Sequence, residues 1–264
     1  MKKIGLLITT FIRDNSLYEC LESISQNWND NYYVIVIDQG NFTDEKDKHL
    51  EEYFEKQSGE YIKLDFDTGA LKARNIAIKR FKELNIPYIL MMADSVQFKS
   101  KYDFSKMISF LEQEENRFLC GFDLKNRLTW ECDLAKTDRF ELDAPKRTPV
   151  EYQELSFQQV DVCRNFFLAK TEMFINALYD EDRKLSDHES SFWRFKEKGY
   201  KCFYCDAIVA DYKKDYTEEY TKYRQRFYRI YLKQMMVKYN LTSWVTYSQD
   251  LKDKWAEEKK IANQ

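Results

Sequence analysis

The chain has 264 residues, of which 44% are hydrophobic and 33% charged, and its net charge is −3 at pH 7. This length allows one large domain or two small ones, and since no Pro/Gly/Ser-rich linker is present we expect one domain. The small negative charge argues against nucleic-acid binding, and no apolar segment reaches the roughly 18 to 20 residues that a membrane span needs.

Six cysteines are scattered along the chain, at positions 20, 120, 132, 163, 202 and 205. The chain carries no convincing export signal, because its first apolar run is short and is followed by Arg13 without a small-residue cleavage site. We therefore expect reduced thiols in a cytoplasmic protein. The spacing of Cys202 and Cys205 is typical of half a zinc site, but no second pair lies nearby and strand alternation explains it better.

Strands and helices alternate through the first third of the chain. The predicted elements are a strand at 4–11, a helix at 16–28, a strand at 34–37, a helix at 44–57, a strand at 61–65, a helix at 71–84 and a strand at 88–92. This alternation predicts a Rossmann-like sheet with crossover helices. Ligands of such sheets bind at the carboxyl ends of the strands, where residues 10–13, Asp38 and Asp94 are expected to converge.

The middle and the end of the chain are predicted less sharply. Residues 128–133 and the polar stretch 136–148 suggest short strands and loops. We expect these to form one wall of the site for an acceptor substrate. Residues 160–212 predict a buried strand, a loop, a helix that begins near Asp187 and a return strand.

One amphipathic helix is predicted over residues 220–239. Its apolar stripe is formed by Tyr223, Phe227, Ile230 and Met235. Its basic residues are Lys222, Arg224, Arg226, Arg229, Lys233 and Lys238, with no acid between the first and the last. The apolar stripe favours packing on the sheet, whereas the basic face favours peripheral contact with an anionic membrane surface or an anionic acceptor.

Three segments of the first half stand out by their wording. Residues 8–13 are Ile-Thr-Thr-Phe-Ile-Arg, residues 36–40 are Val-Ile-Asp-Gln-Gly, and Gly69 precedes Ala-Arg-Asn at 73–75. They resemble the Ile-Pro-Thr-Tyr-Asn-Arg, Val-Asp-Asp-Gly and Gly…Ala-Arg-Asn segments of the broad family-2 glycosyltransferases. The order and the spacing of the segments make the resemblance specific.

The second half contains Val-Asp at 160–161, Asn-Phe-Phe-Leu-Ala-Lys at 165–170, Asp-His-Glu-Ser-Ser-Phe-Trp at 187–193 and Asp-Tyr at 211–212. These segments resemble inverting GT-A glycosyltransferases of the β1,4-N-acetylgalactosaminyltransferase type. The resemblance covers roughly residues 4 to 215. It implies an α/β GT-A domain over 1–215, with a mixed Rossmann-like sheet flanked by helices, and a helical extension over 216–264 packed on the same domain.

The resemblance implies inverting transfer of a hexose or N-acetylhexosamine from a nucleoside diphosphate sugar, UDP-linked above all. The implied acceptor is a saccharide or a lipid-linked saccharide, and the setting is synthesis of a bacterial surface polysaccharide such as capsule or lipopolysaccharide at the inner face of the cell membrane. A catalytically inactive nucleotide-sugar-binding module of the same fold is the alternative. The absence of a P-loop, a Gly-x-Gly-x-x-Gly segment and a nucleophile elbow argues against NTPases, dehydrogenases and hydrolases.

Eight residues are candidates for donor binding: Thr10, Arg13, Asp38, Arg74, Asp94, Ser95, Lys213 and Lys214. The family counterpart of Asp38 contacts the nucleobase, and a carboxylate at a strand end suits that role. Its alternative role is to cap the turn before Gly40. Arg13 and Arg74 offer planar donor forks for a nucleotide or a phosphate, although Arg74 could equally be a solvated helix residue.

The resemblance implies Asp-x-Asp after the third buried strand, with Mn²⁺ or Mg²⁺ bound by its last Asp. This chain has Ala93-Asp94-Ser95 instead, and Tyr212 replaces a late histidine that is a further metal ligand in many members. A serine hydroxyl is a poor ligand for a hard cation. Either Asp94 still holds a weakly bound metal, or basic side chains neutralise the phosphates directly. The candidates for direct neutralisation are Lys213, Lys214, Arg224 and Arg226.

The start of the predicted helix at Asp187 offers three candidates for the catalytic base, namely Asp187, His188 and Glu189. A carboxylate or a neutral imidazole can take the proton of an acceptor hydroxyl. We rank Asp187 first, Glu189 second and His188 third. Acidic residues in a first helical turn also stabilise the helix itself, which is the alternative role of both carboxylates.

Overall fold

The structure, a computed structural model, describes residues 3–28, 32–125, 132–134, 139–185 and 187–262. In the first half, strands and helices alternate as predicted. These elements are β1 (Ile4–Thr10), α1 (Asp14–Asn27), β2 (Tyr32–Asp38), α2 (Asp44–Phe54), β3 (Gly59–Lys63), α3 (Ala70–Glu83) and β4 (Tyr88–Ala93). Strands β1, β2, β3 and β4 pair in parallel, with β1 between β2 and β4.

The second half adds strands of both directions. Its elements are β5 (Val96–Gln97), α4 (Ser105–Glu112), β6 (Arg117–Lys125), β7 (Asp133–Leu134), β8 (Arg139–Asp143), β9 (Val150–Tyr152), β10 (Leu155–Val160), β11 (Phe167–Lys170), α5 (Thr171–Ile175), α6 (Asp187–Glu197) and β12 (Lys201–Tyr212). Strand β11 is antiparallel to both β4 and β6, and β12 is parallel to β6. The mixed sheet implied by the resemblance is confirmed.

The main sheet has the strand order β3-β2-β1-β4-β11-β6-β12-β10-β9, with β5 paired to β12. Strand β1 is buried along its whole length, because helices cover both faces of a parallel sheet. Successive side chains of a strand point to opposite faces. Leu7 accordingly packs in one core with Ala77 of α3, whereas Leu6 and Ile8 pack in the other with Leu21 of α1.

Beyond residue 215 the structure differs from the predicted single helix over 220–239. The chain forms α7 (Glu218–Gln225), α8 (Tyr228–Lys238), β13 (Ser243–Tyr247) and α9 (Gln249–Ala262). The break falls at Arg226 and Phe227, where Arg226 is bound to Asp67 of the loop after β3. Strand β13 pairs with β8, which pairs with β7, so the C-terminal part also contributes to a second sheet.

The predicted apolar stripe of this region is only half buried. Met235 is fully buried in the core, whereas Phe227 and Ile230 are exposed, Ile230 to 52%. Packing on the sheet, the structural alternative for this stripe, therefore applies to Met235 and not to Ile230. Within the described ranges, no helix combines the length and the apolar character needed to cross a membrane.

The structure describes all six cysteines but only part of the segments 128–133 and 136–148. All six cysteines are buried as thiols, and Cys202 and Cys205 both lie in β12. Of the predicted segment 128–133, residues 128–131 lie outside the described residues, as do 136–138 of the polar stretch.

Candidate active site at the carboxyl ends of the strands

A cavity of about 120 Å³ lies beyond the carboxyl ends of β1 and β4. Its lining comes from the ends of β1 and β4, the segments just after β2 and β3, the start of α3, the segment just before α6, and the region of α7 and α8. The register of the sheet pairs Thr10 with Asp38 and Thr9 with Ala93, so these strand ends meet as predicted. The crevice expected for an open α/β sheet is present at this edge.

Arg13 and Asp94 form a buried ion pair at the base of this cavity. Arg13 is 8% exposed and Asp94 is fully buried, and Thr10 Oγ1 donates to the second carboxylate oxygen of Asp94 at 2.9 Å. Ile12 has a φ of 45°, an uncommon value for a β-branched residue, in the turn between β1 and α1 that carries Arg13. Burial disfavours the charged guanidinium, but Asp94, Tyr220 and Tyr212 together outweigh it, so the pKa of Arg13 lies above its ordinary value.

Asp38 is engaged inside the protein on both carboxylate oxygens. Lys46 Nζ lies 2.5 Å from Oδ2, Tyr61 OH donates to Oδ2 at 2.9 Å, and the Gly40 amide donates to Oδ1 at 2.8 Å. The last contact is the turn cap considered as the alternative role. Of the two residues at this turn, Gln39 lines the cavity and Asp38 does not, so nucleotide contact by Asp38 stays a prediction.

Five cationic side chains line the cavity among the described residues, against one carboxylate. They are Arg13, Arg74, Lys184, Arg224 and Arg226. The carboxylate is Asp67, whose Oδ2 lies 2.7 Å from both Lys184 Nζ and Arg226 Nη2. The cavity is therefore a site of positive potential that attracts anions.

Aromatic rings support these cations. The guanidinium of Arg13 lies 4.4 Å from the ring centre of Tyr220, and Arg224 donates to the hydroxyl of the same tyrosine at 2.8 Å. The guanidinium of Arg226 lies 4.6 Å from the ring of Phe227. Arg74 is 8% exposed and lies over the ring of Tyr179, so it is a buried residue and not a solvated one. Such contacts hold charged groups in place without neutralising them.

Three other candidates for donor binding lie away from the cavity. Lys213 Nζ pairs with Glu19 at 2.5 Å, and Lys214 is exposed. Ser95 is buried, and its hydroxyl finds no hydrogen-bond partner within the described part of the chain. Neither lysine nor Ser95 lines the cavity, whereas the two arginines named with the lysines, Arg224 and Arg226, both do.

The helix that carries the base candidates begins next to the cavity. Asp187 is the first residue of α6, and Lys184 and Leu185, just before it, line the cavity. The Ala70 amide donates to the Lys184 carbonyl at 3.1 Å, which ties this segment to the start of α3. His188 is half-buried, with its ring 5.2 Å from that of Phe192. The side chains of Asp187 and Glu189 lie outside the described part of the structure.

Comparison with known proteins decides the family. The sequence profile described as Glycosyl transferase family 2 matches residues 6–176. The chain belongs to this family. A curated relative, the teichoic acid poly(glycerol phosphate) polymerase of Staphylococcus epidermidis, is 29% identical over 94 residues, which are 35% of this chain and 12% of that protein. The family-2 match covers the strands that build the cavity.

Solved structures show the same fold at low sequence identity. S. aureus TarS 1–349 in complex with UDP-GlcNAc superimposes with a TM-score of 0.63 at 14% identity, over 89% of this chain and 66% of that one. The mannosyltransferase PcManGT from Pyrobaculum calidifontis, in complex with GDP-Man and Mn²⁺, has a TM-score of 0.61 at 13% identity, over 89% and 63%. The chain thus spans less than two thirds of each of these structures, and it has the GT-A fold.

The metal site that family 2 implies does not fit the side chains present. Both oxygens of Asp94 are engaged, one by Arg13 and the other by Thr10. Among the described residues, no group of three or more His, Cys, Asp and Glu side chains could hold a metal ion. Hard divalent cations need several oxygen ligands, so the donor set at Asp94 is too small.

Sequence reasoning missed several residues of this site. Lys46, Asp67, Lys184 and Tyr220 were not candidates, yet each contacts or lines the functional region. The burial of Lys46 could be inferred from one sequence pattern. Lys46 lies four residues before the buried Leu50 and so shares its helix face. Asp67 and Lys184 are 117 residues apart and paired only by the fold, so no local pattern indicates them.

Proposed function

We propose that this family-2 protein is an inverting glycosyltransferase that moves a hexose or an N-acetylhexosamine from a UDP-linked donor to a saccharide acceptor. One observation carries the proposal: a cation-lined cavity at the carboxyl ends of β1 and β4 adjoins the start of the helix that bears acidic residues. The cavity suits a diphosphate, and the helix start suits a base.

The donor class follows from the charge of the cavity. A nucleoside diphosphate sugar presents two phosphate groups, and arginine forks bind phosphate oxygens through paired hydrogen bonds. The aromatic rings of Phe11, Tyr220 and Tyr223 add flat apolar surface for a sugar or a nucleobase. The ring centres of Phe11 and Tyr223 lie 5.4 Å apart, edge to face. TarS is described with UDP-GlcNAc and PcManGT with GDP-Man; UDP is our first choice.

The acceptor would approach from a wider groove of about 600 Å³ that adjoins the cavity. The two share Tyr220, Arg224, Arg226 and Phe227. We propose a saccharide or lipid-linked saccharide acceptor in the assembly of a bacterial cell-surface polymer, which the likeness to the teichoic acid polymerase supports. Lys222, Arg229 and Lys233 are exposed and could hold the protein at the inner face of an anionic membrane.

In the proposed reaction, the base at the start of α6 takes the proton of an acceptor hydroxyl as its oxygen bonds to the anomeric carbon. The bond from that carbon to the diphosphate oxygen breaks on the opposite side, which inverts the anomeric configuration. Asp187 remains our first choice for the base, before Glu189 and His188. Lys184 and Leu185, which come just before α6, line the donor cavity and so support a base at the start of this helix.

The test is a panel of donors, namely UDP-GlcNAc, UDP-GalNAc, UDP-glucose and GDP-mannose, each offered with short saccharide acceptors. We expect acceptor-dependent release of UDP from one donor and, by NMR, a product of inverted anomeric configuration. Nucleotide binding without turnover of any donor would favour the inactive nucleotide-sugar-binding module. A product of retained configuration would refute the inverting mechanism.

A further inference from the structure

We propose that Arg13, held in place by Asp94, neutralises the donor diphosphate directly, so that this site binds its nucleotide without a divalent cation. This inference rests on the proposed function and concerns the same cavity. It assigns to Asp94 a positioning role in place of the metal-binding role that the family implies.

Asp94 is already occupied by partners within the protein. Its two oxygens receive the guanidinium of Arg13 and the hydroxyl of Thr10, and the residue is fully buried. A cation bound to Asp94 would have to displace a charged arginine that is itself 8% exposed. Among the described residues, no cluster of three or more His, Cys, Asp and Glu side chains could hold that cation in exchange.

Arg13 retains N–H donors for a ligand. A guanidinium has five N–H donors, and the ion pair with Asp94 is made through Nη2. Arg13 Nε is buried and finds no hydrogen-bond partner within the described residues, although Arg13 lines the cavity. Leaving a buried donor unsatisfied is unfavourable, and a phosphate oxygen in the cavity would satisfy it.

Arg13 does not act alone. Arg74 and Arg224 line the same cavity, and the side chains of Arg13 and Arg224 both contact the ring of Tyr220. Lys184 and Arg226 complete the cationic wall. Charges act strongly in such a site, because protein replaces much of the water that would screen them.

The chemistry of the step balances without a metal. When the bond between the anomeric carbon and the diphosphate oxygen breaks, its electron pair stays on that oxygen, and the guanidinium groups stabilise the added negative charge. The acceptor oxygen forms the new bond to the anomeric carbon, and its proton passes to the base on α6. No oxidant, reductant or further reactant is needed.

The experiment compares UDP with uridine by calorimetry, in the presence of EDTA and then with Mn²⁺ in place of EDTA. In EDTA we expect UDP to bind about tenfold or more tighter than uridine, because charged hydrogen bonds to the diphosphate remain. We expect Mn²⁺ to leave this difference unchanged. Arg13→Gln should abolish most of the difference, whereas Lys233→Gln, which removes an exposed charge outside the cavity, should not.

Two further variants separate positioning from folding. Asp94→Asn should weaken UDP binding in EDTA because Arg13 loses its anchor, whereas a metal ligand would affect binding only in Mn²⁺. If Arg13→Gln does not fold, Arg224→Gln tests the cluster from an exposed helix. UDP binding that requires Mn²⁺ would overturn this inference and leave the proposed function standing. Failure of UDP to bind in either condition would overturn this inference, and failure of GDP and of the nucleotide sugars to bind as well would overturn both.

Discussion

Gly69 and Lys184 are in backbone contact across the candidate site: a methyl group on Gly69 would lie 2.9 Å from the Cα of Lys184. Gly69 also has a φ of 105°, a value that residues with a side chain rarely adopt. The start of α3 is therefore pressed against the segment that leads into α6. This close approach holds the segment just before α6 against the donor cavity.

Gly69→Ala should disturb the site by more than the strain of placing a side chain at a positive φ would cause. The added methyl must push Lys184 away, and with it the start of α6, so we expect lower stability and a large loss of transfer. Gly199→Ala is the matched control, since Gly199 also has a positive φ, 70°, but its added methyl meets no atom within 4 Å.

We expect Gly199→Ala to cost about 1 to 2 kcal/mol of stability and to retain full transfer activity. Denaturant unfolding and transfer assays on both variants check this. Equal activity of the two variants would show that the contact with Lys184 has no functional weight.

Asp38→Ala should destabilise the protein through Lys46. Both side chains are fully buried and 2.5 Å apart, so removing the carboxylate leaves a buried ammonium whose remaining acidic partner is Asp14, at 2.6 Å. Removing one partner of a buried pair costs about 3 to 5 kcal/mol, and we expect the lower end because Asp14 remains.

The double variant Asp38→Ala/Lys46→Met should recover part of this loss, because no unpaired charge remains. Unfolding in urea measures all three free energies. A single variant as stable as wild type would show that the pair does not contribute. Nucleotide contact by Asp38 is better tested in Asp38→Asn, which keeps the size of the side chain.

The fold could be predicted well from the sequence because its first half repeats one simple unit. Apolar runs such as 4–10 are buried on both faces, and the helices between them have one apolar face each. The split between α7 and α8 could not be predicted in this way. Arg226 there is held by Asp67, which is 159 residues away in the sequence. No local sequence pattern indicates a contact between residues so far apart.

The candidate site could be predicted in its location but not in its pairings. The strand ends that carry Thr10, Arg13 and Asp94 converge as the topology requires. The ion pair between Arg13 and Asp94 joins residues 81 apart, and the sequence alone leaves Asp94 equally suited to hold a metal. Side-chain partners at this distance are decided by tertiary packing.

Asp67→Asn should tighten the binding of UDP. Asp67 is the one carboxylate among the described residues that line the cavity, and it pairs with both Lys184 and Arg226. Removing its charge frees both cations for phosphate. A partly exposed pair is worth about 0.2 to 1 kcal/mol, so we expect about threefold tighter binding.

Asp182→Asn is the control for Asp67→Asn, because Asp182 pairs with Lys238 outside the cavity. Calorimetry in EDTA compares the two variants with wild type. Weaker binding in Asp67→Asn would mean that Asp67 positions the cations instead of competing for them.

Asp180 should make stability depend on pH in the acid range. Its carboxylate is bound by Tyr239, Lys238 and Arg194, which connect α8 and α6 to the loop after α5. Burial alone would raise the pKa of Asp180, but these partners outweigh it and the pKa is lowered. A carboxyl group whose pKa is lowered by folding stabilises the fold at pH values above its ordinary pKa of about 3.9. This stabilisation is lost as the pH falls through the pKa of the folded state.

We therefore expect Asp180→Asn to be less stable than wild type by about 2 kcal/mol at neutral pH, with the difference shrinking below about pH 4. Urea unfolding across this pH range measures it. A difference that stays constant down to low pH would show that charge on Asp180 is not the cause.

The transfer rate of Asp187→Asn tests most directly whether the start of α6 supplies the base of a glycosyltransferase. We expect a loss of about 10²-fold or more in rate with unchanged donor affinity, because general-base catalysis is lost while the cavity stays intact. Glu197→Gln, at the far end of the same helix, where Glu197 accepts a hydrogen bond from Trp193, should keep its activity. A dead Glu189→Gln or His188→Ala beside an active Asp187→Asn would move the base within this helix start, whereas full activity in all three variants would contradict the account.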